Sequence, residues 1–177
     1  IAIGKRAARM VEPGQVVFVD GGTTALQLAR HLPSNLEATI ITHSPNVAME
    51  LLVHERLAIE IVGGRLFRHS IVTSGAATIA WLDRYRPDIC FLGATGLHPA
   101  EGITTGDSEE AEVKRAVIAR SGAAIILASS EKLGAVSSFE IAQWPDIDGL
   151  VVSAAAFEKA RNLFSHQQCE LHVAAAG

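Results

Sequence analysis

The stretch Val16-Val17-Phe18-Val19-Asp20-Gly21-Gly22-Thr23-Thr24 decides the fold, because in it an apolar strand leads directly into a glycine turn and the start of a helix. Four consecutive apolar residues are typical of a strand buried on both faces, as in a parallel sheet covered by helices. The same alternation of apolar runs and segments with helical spacing continues along the chain. The sequence therefore predicts an α/β domain with a Rossmann-like, mostly parallel sheet and helices on both faces.

The elements of this domain are predicted from the spacing of apolar residues. Strands are expected at 16–19, 39–42, 58–62, 88–92, 123–128, 150–153 and 170–173. Helices are expected at 2–12, 24–31, 45–54, 76–84, 109–120 and 155–166, where apolar residues recur at i, i+3 and i+4. Residues 174–177 are expected to fray.

Length and composition indicate one domain, spanning 1–177, because 177 residues with 49 % hydrophobic and 19 % charged side chains can bury a core. The net charge of −4 argues against an extended nucleic-acid footprint within these residues. Cys90 and Cys169 have no CxxC spacing and are expected to be buried free thiols in a reducing cytosol. No apolar run approaches the roughly 18 residues that cross a bilayer, so no membrane contact is expected.

Residues 20–24 form the first candidate binding site. Gly21 and Gly22 allow a ligand to approach the backbone, and Thr23 and Thr24 offer N–H and hydroxyl groups at a helix N-terminus, which favours a phosphate. A plain turn with a threonine cap is the alternative explanation. The loop is neither GxGxxG nor GxxxxGK[ST], so dinucleotide and nucleoside triphosphate binding lose support.

Polar loops follow later strands as well, and the carboxyl ends of parallel strands meet at one edge of the sheet. Ser44 precedes Pro45 and is expected to cap a helix, which explains it without a ligand. Glycine, threonine and serine are concentrated at 63–64 and 73–75, and these loops favour a polar anion pocket at that edge. The long loop 93–106 is of a length that is often functional.

Charged residues near these loops allow two explanations each. Asp107 and Glu110 have the spacing of a capping box, and Glu110 with Lys114 is expected to be a surface ion pair. Lys132 follows the fifth strand, where a surface lysine is the default and a phosphate contact the alternative. The seven histidines lack HxH, HExxH or Cys/His spacing, so no metal site is predicted, and no cofactor is expected.

Read in order, the loops resemble the C-terminal sensor domain of DeoR-type bacterial transcriptional regulators, from about Lys5 to Ser153. The fold of that family is similar to that of ribose-5-phosphate isomerase, glucosamine-6-phosphate deaminase and CoA transferases. The motifs that carry the resemblance are Asp20-Gly21-Gly22-Thr23-Thr24, Thr42-His43-Ser44 with Asn46-Val47-Ala48, Gly63-Gly64-Arg65-Leu66, Gly93-Ala94-Thr95-Gly96-Leu97, Gly102-Ile103-Thr104-Thr105, Glu109-Glu110-Ala111-Glu112-Val113-Lys114-Arg115 and Ser129-Ser130-Glu131-Lys132-Leu133-Gly134.

The resemblance implies a sensor that binds a phosphorylated sugar or related phosphometabolite and controls a transcriptional regulator, expected to be a repressor. It implies no catalytic residue, a cytoplasmic homo-oligomer, and contact with operator DNA only through an N-terminal winged helix-turn-helix, which is expected to be missing from this chain. The ligand-binding residues that it implies, together with their loop neighbours, are Asp20, Gly21, Gly22, Thr23, Thr24, Thr42, His43, Ser44, Gly63, Gly64, Gly75, Gly96, Thr104, Thr105, Glu109 and Lys132.

Two residues depart from the family pattern. His43 stands where the motif commonly reads Thr-Asn-Ser, and it is expected to alter sugar contacts or to add pH sensitivity near the ordinary histidine pKa of about 6.5. Glu131 places a negative charge beside Lys132, which disfavours an adjacent phosphate.

A sugar-phosphate isomerase or deaminase of the same fold is the alternative function. It would need a general base near a substrate C–H and a ring-opening acid, for which Asp107, Glu109 and His43 are candidates. However, residues 93–97 read Gly-Ala-Thr-Gly-Leu where the isomerase resemblance would require an Asp-Gly-Ala-Asp-Glu type motif. The sensor is therefore the favoured interpretation.

Overall fold

Twelve strands appear in the computed structural model, which describes residues 1–175. In chain order they are β1 (Val16–Val19), β2 (Ala38–Thr42), β3 (Leu57–Ile61), β4 (Arg65–Phe67), β5 (Val72–Ser74), β6 (Ile89–Gly93), β7 (Gly96–His98), β8 (Gly102–Thr105), β9 (Ala124–Ala128), β10 (Phe139–Ala142), β11 (Gly149–Ser153) and β12 (Glu170–Ala174).

Seven of these strands form one sheet in the order β12-β11-β9-β6-β1-β2-β3, and all neighbours in it are parallel. The chain first builds outward from β1 to β3 and then returns to the other side of β1 with β6. The point between β1 and β6 is therefore the topological switch of the sheet, where α/β proteins bind ligands.

Helices cover both faces of this sheet, as predicted. They are α1 (Ala2–Ala8), α2 (Thr23–Arg30), α3 (Pro45–Leu51), α4 (Ala76–Leu82), α5 (Ser108–Arg120) and α6 (Phe157–Leu163). Side chains alternate along a strand, so Val17 and Val19 of β1 pack in the core with α1, α2 and α3. Phe18 points the other way, into the core with α4, α5 and α6.

Two short sheets of antiparallel strands were not predicted. Strands β4 and β5 pair with each other, and residues 65–74, which contain both strands and their turn, are called the hairpin below. Strands β7, β8 and β10 form a separate three-stranded sheet. Ile71, near the tip of the hairpin, has φ +53°, a left-handed conformation that is strained for a β-branched residue.

The predicted helices and parallel strands all occur, with shifted ends. Helix α1 ends at Ala8 and not at residue 12, α3 ends at Leu51 and not at 54, and the last helical segment is a 3₁₀ turn at Ala154–Ala156 followed by α6. Fraying was wrongly expected for Ala174, which pairs with Ser153 as the last residue of β12. Ala175 follows β12 outside any strand, and the expectation for 176–177 lies outside the described residues.

At the amino edge of the sheet, aspartate side chains bind the first N–H groups of two strands. Asp88 Oδ2 accepts the N–H of Val16, and Asp148 Oδ2 accepts that of Ala124, both at 2.8 Å. These bonds satisfy strand donors that would otherwise be unpaired at the end of the sheet.

Both cysteines are free thiols, but only Cys90 is buried as expected, because Cys169 is half-buried in the segment that leads into β12. Cys90 is fully buried in β6, and burial raises the pKa of its thiol to about 12. Within residues 1–175 the helices are all too short or too polar to cross a membrane.

Candidate functional site

Three adjoining cavities of about 140, 350 and 210 Å³ open at the carboxyl edge of the sheet, and together we call them the cleft. Ser70 of the hairpin borders all three. The residues that line one or more of the three cavities are Asp20, Gly21, Gly22, Thr23, Leu26, Asn46, Phe67, His69, Ser70, Ile71, Val72, Gly93, Ala94, Thr95, Thr105, Gly106, Asp107, Glu110, Lys114 and Lys132. A larger cavity of about 710 Å³ lies between α1 and β12, away from every loop at which the sequence predicts binding.

Asp20 lies directly after β1 at the base of the cleft and is only 3 % exposed. Its Oδ1 accepts the N–H of Gly21 and contacts His43 Nε2, each at 2.8 Å. Its Oδ2 accepts the N–H of Gly93 at 2.8 Å and contacts Lys114 Nζ at 3.1 Å. A carboxylate has about four acceptor positions, so the four protein groups around Asp20 occupy all of them, and the carboxylate positions the side chains of His43 and Lys114.

The pKa of the Asp20 carboxyl reflects these contacts. Burial is the largest influence and by itself raises the pKa. The charge of Lys114, the hydrogen bond and charge of His43, and the N–H of Gly93 outweigh burial and hold the pKa well below its usual range. Asp20 is therefore ionised.

Lys114 contradicts the expectation of a surface ion pair with Glu110. Its side chain is 8 % exposed, and its Nζ donates to Gly93 O at 2.8 Å besides contacting Asp20. An ammonium has three donors, and these two contacts use two of them where Lys114 borders the cleft. The sequence did contain a signal, because Lys114 lies three residues after Ala111 and three before Val117, on the buried face of α5.

His43 lies at the end of β2, as predicted, but it is buried beneath the cleft and does not line it. Its Nε2 contacts Asp20, and its Nδ1 lies 2.9 Å from the carbonyl oxygen of Thr73 in the hairpin. Both ring nitrogens are thus occupied by protein oxygens. We expected His43 to contact a sugar directly, but neither of its ring nitrogens is free to do so.

The glycine turn lies on the cleft, as predicted. Gly21 and Gly22 border the smallest of the three cavities, while Gly22 and Thr23 border the largest. Gly22 has φ +88° and is the N-cap of α2, and no side chain caps that helix among the described residues. The explanation by a threonine cap therefore fails, and the first turn of α2 presents N–H groups at its positive end.

Other predicted residues lie behind the cleft, in contact with protein groups. Thr42 Oγ1 accepts the N–H of Ser44 at 3.1 Å. Ser44 caps α3, as predicted, by accepting the N–H of Val47, and it also donates to Ile71 O at 3.3 Å. Thr24 lies half-buried in the first turn of α2, beside the lining residues.

The remaining glycines serve packing and turns outside the cleft lining. A β-carbon on Gly64 would lie 2.0 Å from Thr78 Oγ1, whose hydroxyl donates to Gly63 O. Gly75 has φ +89° and begins α4. On Gly96 a β-carbon would lie 2.6 Å from both the Ala135 carbonyl oxygen and Thr104 Oγ1.

Of the predicted residues in the long loop and at the start of α5, some line the cleft and others hold neighbouring elements in place. Thr105 borders two of the cavities, whereas Thr104 is buried and donates to Gly96 O. Glu109 accepts a hydrogen bond from Ser74 Oγ at 2.7 Å, which ties α5 to the hairpin. Asp107 caps α5 by accepting the N–H of Glu110 at 2.9 Å.

Lys132 lies on the cleft in a 3₁₀ turn and is half-buried. Burial lowers the pKa of its ammonium, Glu131 and Asp20 oppose that shift, and Lys114 adds to it. The Glu131 carboxylate, which we expected to repel a phosphate, is hydrogen-bonded to Ser129. The structure thus places two lysines and the start of α2 around one cavity.

Sequence reasoning missed the part of the site contributed by the hairpin. His69, Ser70 and Ile71 lie near its tip and border the cleft. The signal was weak, since only the polar run at 68–70 marks the turn. Within the described residues no cluster of three His, Cys, Asp or Glu side chains is arranged to hold a metal ion.

Comparison with solved structures identifies the same fold in enzymes and in translation factors. Ribose 5-phosphate isomerase A from Methanocaldococcus jannaschii superposes with a TM-score of 0.52 and 23 % identity, covering 75 % of this chain and 52 % of the isomerase. Translation initiation factor eIF-2B from Pyrococcus horikoshii gives a TM-score of 0.59 and 13 % identity, covering 84 % and 60 %. The predicted likeness to the isomerase fold is confirmed, and at these identities the fold alone is shown.

Sequence comparison finds relatives that are named as transcriptional regulators. The chain is 32 % identical over 147 residues to the HTH-type transcriptional regulator GlpR of Haloferax volcanii, covering 83 % of this chain and 57 % of GlpR. It is 32 % identical over 171 residues to the HTH-type transcriptional repressor GlcR of Bacillus subtilis, covering 97 % of this chain and 66 % of GlcR. The chain thus spans less than two thirds of the length of both relatives.

The family comparison agrees with the motifs and with the architecture described above. Residues 1–154 match the family described as the DeoR C-terminal sensor domain. This match includes the glycine turn, the hairpin, α5 and Lys132, and so all the residues that line the cleft. The chain belongs to the DeoR C-terminal sensor domain family.

Proposed function

We propose that this domain binds a phosphorylated sugar or a related phosphometabolite in the cleft and reports its presence to a DNA-binding segment of a transcriptional repressor. The observation that carries the proposal is the convergence of Lys114, Lys132 and the uncapped first turn of α2 on one set of adjoining cavities. Cations and free N–H groups at a helix start favour a phosphate. Polar side chains further along the cleft, including Ser70 and Thr105, supply partners for hydroxyl groups.

The relatives support the regulatory part of the proposal. GlpR and GlcR are named as HTH-type regulators, and this chain matches only part of each. We propose that the whole protein is a cytoplasmic homo-oligomer whose winged helix-turn-helix contacts operator DNA. Operators read by such proteins are commonly palindromic, which a symmetric oligomer matches.

We propose that the domain does not transform its ligand. Of the candidate acids and bases, Asp107 caps α5, Glu109 accepts from Ser74, and His43 has protein oxygens at both ring nitrogens. These contacts give each candidate a structural task. Coupled assays with ribose 5-phosphate and glucosamine 6-phosphate test the alternative, and turnover above about 1 s⁻¹ would favour an enzyme.

Thermal unfolding with sugar phosphates, their unphosphorylated sugars and inorganic phosphate tests the ligand class. A bound ligand at about 100 times its dissociation constant stabilises the folded state by roughly 2.7 kcal/mol. We expect the shift in melting temperature with phosphorylated compounds and not with the free sugars. Equal stabilisation by the free sugars would contradict a phosphate site.

Two variants locate the site and one controls for charge. Thr23→Glu places a carboxylate at the start of α2, and Lys132→Gln removes a cation at the cleft, so both should abolish or weaken the phosphate-dependent shift. Lys5→Gln removes an exposed cation from α1, away from the cleft, and should leave the shift unchanged. If Thr23→Glu folds and still gives the wild-type shift, the turn is not the phosphate site.

A further inference from the structure

The two ring nitrogens of His43 both face oxygen atoms. Nδ1 lies 2.9 Å from the carbonyl oxygen of Thr73, which can only accept, so Nδ1 must carry a hydrogen. Nε2 lies 2.8 Å from Oδ1 of Asp20, which already accepts the N–H of Gly21. A bare lone pair on Nε2 would repel a carboxylate oxygen at that distance. A second proton therefore has to lie between His43 and Asp20.

The surroundings of His43 show what this second proton does to the local charge. Asp20 contacts it from the end of β1, and Lys114 of α5 contacts the other oxygen of the same carboxylate. The hairpin contributes the Thr73 carbonyl, and β1 contributes the Phe18 ring, whose centroid is 5.6 Å from that of the imidazole. With His43 protonated, the histidine cancels the charge of Asp20, and the ammonium of Lys114 remains uncompensated within this group.

We propose that His43 is a positioning residue, held as an imidazolium, which neutralises Asp20 and so leaves the positive charge of Lys114 for an anion in the cleft. The part of this inference that concerns anion binding rests on the proposed function, whereas the protonation of His43 does not. Charges buried in a low-dielectric site act strongly on one another, so one proton at His43 changes the attraction for an anion. Loss of that proton as the pH rises should weaken anion binding.

Nuclear magnetic resonance tests the protonation directly on the unliganded domain. In ¹⁵N-histidine-labelled protein at about pH 7, we expect both His43 ring nitrogens to show the shifts and N–H couplings of protonated nitrogens. The Phe18 ring identifies the signals through its proximity, so no variant is needed for assignment. A neutral tautomer of His43 at that pH would overturn the proposal.

Titration with inorganic sulfate tests the consequence for anion binding. Histidine side chains change charge between about pH 5 and 8, whereas sulfate keeps its charge throughout that range and at higher pH. For the wild-type domain we expect the affinity to fall as the His43 signals lose their proton. In His43→Asn, a neutral residue of similar reach, we expect sulfate affinity at about pH 6 to be lower by on the order of ten-fold and independent of pH. His43→Gln serves if His43→Asn does not fold.

His166 is the matched control. His166→Asn removes an exposed imidazole outside the cleft lining and should keep the wild-type affinity and pH dependence. His69 lines the cleft, so His69→Asn measures how much of the pH dependence comes from that imidazole. The positioning role is overturned if the dependence disappears in His69→Asn, or if His43→Asn binds sulfate with the wild-type affinity and profile. If sulfate binds at no pH although His43 is doubly protonated, the anion site of the proposed function fails and the assignment of the proton stands.

Discussion

The ammonium of Lys114 lies 3.1 Å from Oδ2 of Asp20, and both side chains are more than nine-tenths buried. Substituting the anion of such a buried group leaves the cation without its partner and costs about 3–5 kcal/mol. We therefore expect Asp20→Asn, which leaves Lys114 without its carboxylate, to lower the free energy of unfolding by about that amount in urea denaturation. The exposed pair of Arg161 with Glu158 is the control, and Arg161→Gln should cost less than about 1 kcal/mol. Equal losses in the two variants would contradict the importance of burial.

Acid should destabilise the domain through Asp20. The pKa of this carboxyl is low in the folded state, whereas in the unfolded chain it returns to about 3.9, so below about pH 4 the unfolded chain binds one proton more. The contribution of Asp20 is fully present above that pH and is lost as the pH falls toward its folded value. Urea midpoints from about pH 6 to 2 should decrease less steeply in Asp20→Asn than in the wild type, even though the variant is less stable at neutral pH. Parallel pH profiles would show that other carboxyl groups dominate.

Gly96 should be needed for packing and not for ligand contact. Because a β-carbon there would lie 2.6 Å from a backbone oxygen, Gly96→Ala is expected to lower stability by about 1–3 kcal/mol, measured by thermal unfolding. Gly106 borders the cleft, and a β-carbon added to it would meet no atom within 4 Å. Gly106→Ala should be neutral or slightly stabilising. A harmless Gly96→Ala would contradict the close approach.

Ile71 should be a site of stored strain. Asparagine tolerates the left-handed conformation better than a β-branched side chain, so Ile71→Asn is expected to raise the free energy of unfolding by about 0.5–1 kcal/mol. Ile71→Val keeps the branching and should show no gain. If Ile71→Asn lowers stability, packing of the isoleucine outweighs the strain.

The sequence was most informative about features that depend on residues close to one another along the chain. Continuous apolar runs predicted the parallel strands, because strands buried on both faces need no polar alternation. The short strands of the hairpin and of the β7-β8-β10 sheet have only three or four residues, and their pairing depends on partners elsewhere in the chain. Gly21 to Thr23 could be placed on the cleft because a strand, a turn and a helix follow one another directly.

The interior of the site could not be predicted in the same way. The sequence alone favours a surface position for Lys114, because a Glu-Lys pair at i, i+4 looks the same whether the lysine is exposed or buried. Its burial depends on Asp20, which follows β1, and on Gly93, which ends β6. Likewise, the role of His43 depends on Asp20, 23 positions away, and on the Thr73 carbonyl, 30 positions away.

The aspartates at the amino edge of the sheet have a consequence for how such domains diversify. Asp88 and Asp148 fix the beginnings of strands at the end opposite the cleft. On the proposed function, loops at the cleft end can therefore exchange side chains, and with them ligand preference, while the strand starts keep their anchors. Asp20 is the exception, since it lies at the cleft end and yet contacts two buried side chains, His43 and Lys114. We therefore expect side chains of the hairpin to be easier to substitute than that one carboxylate.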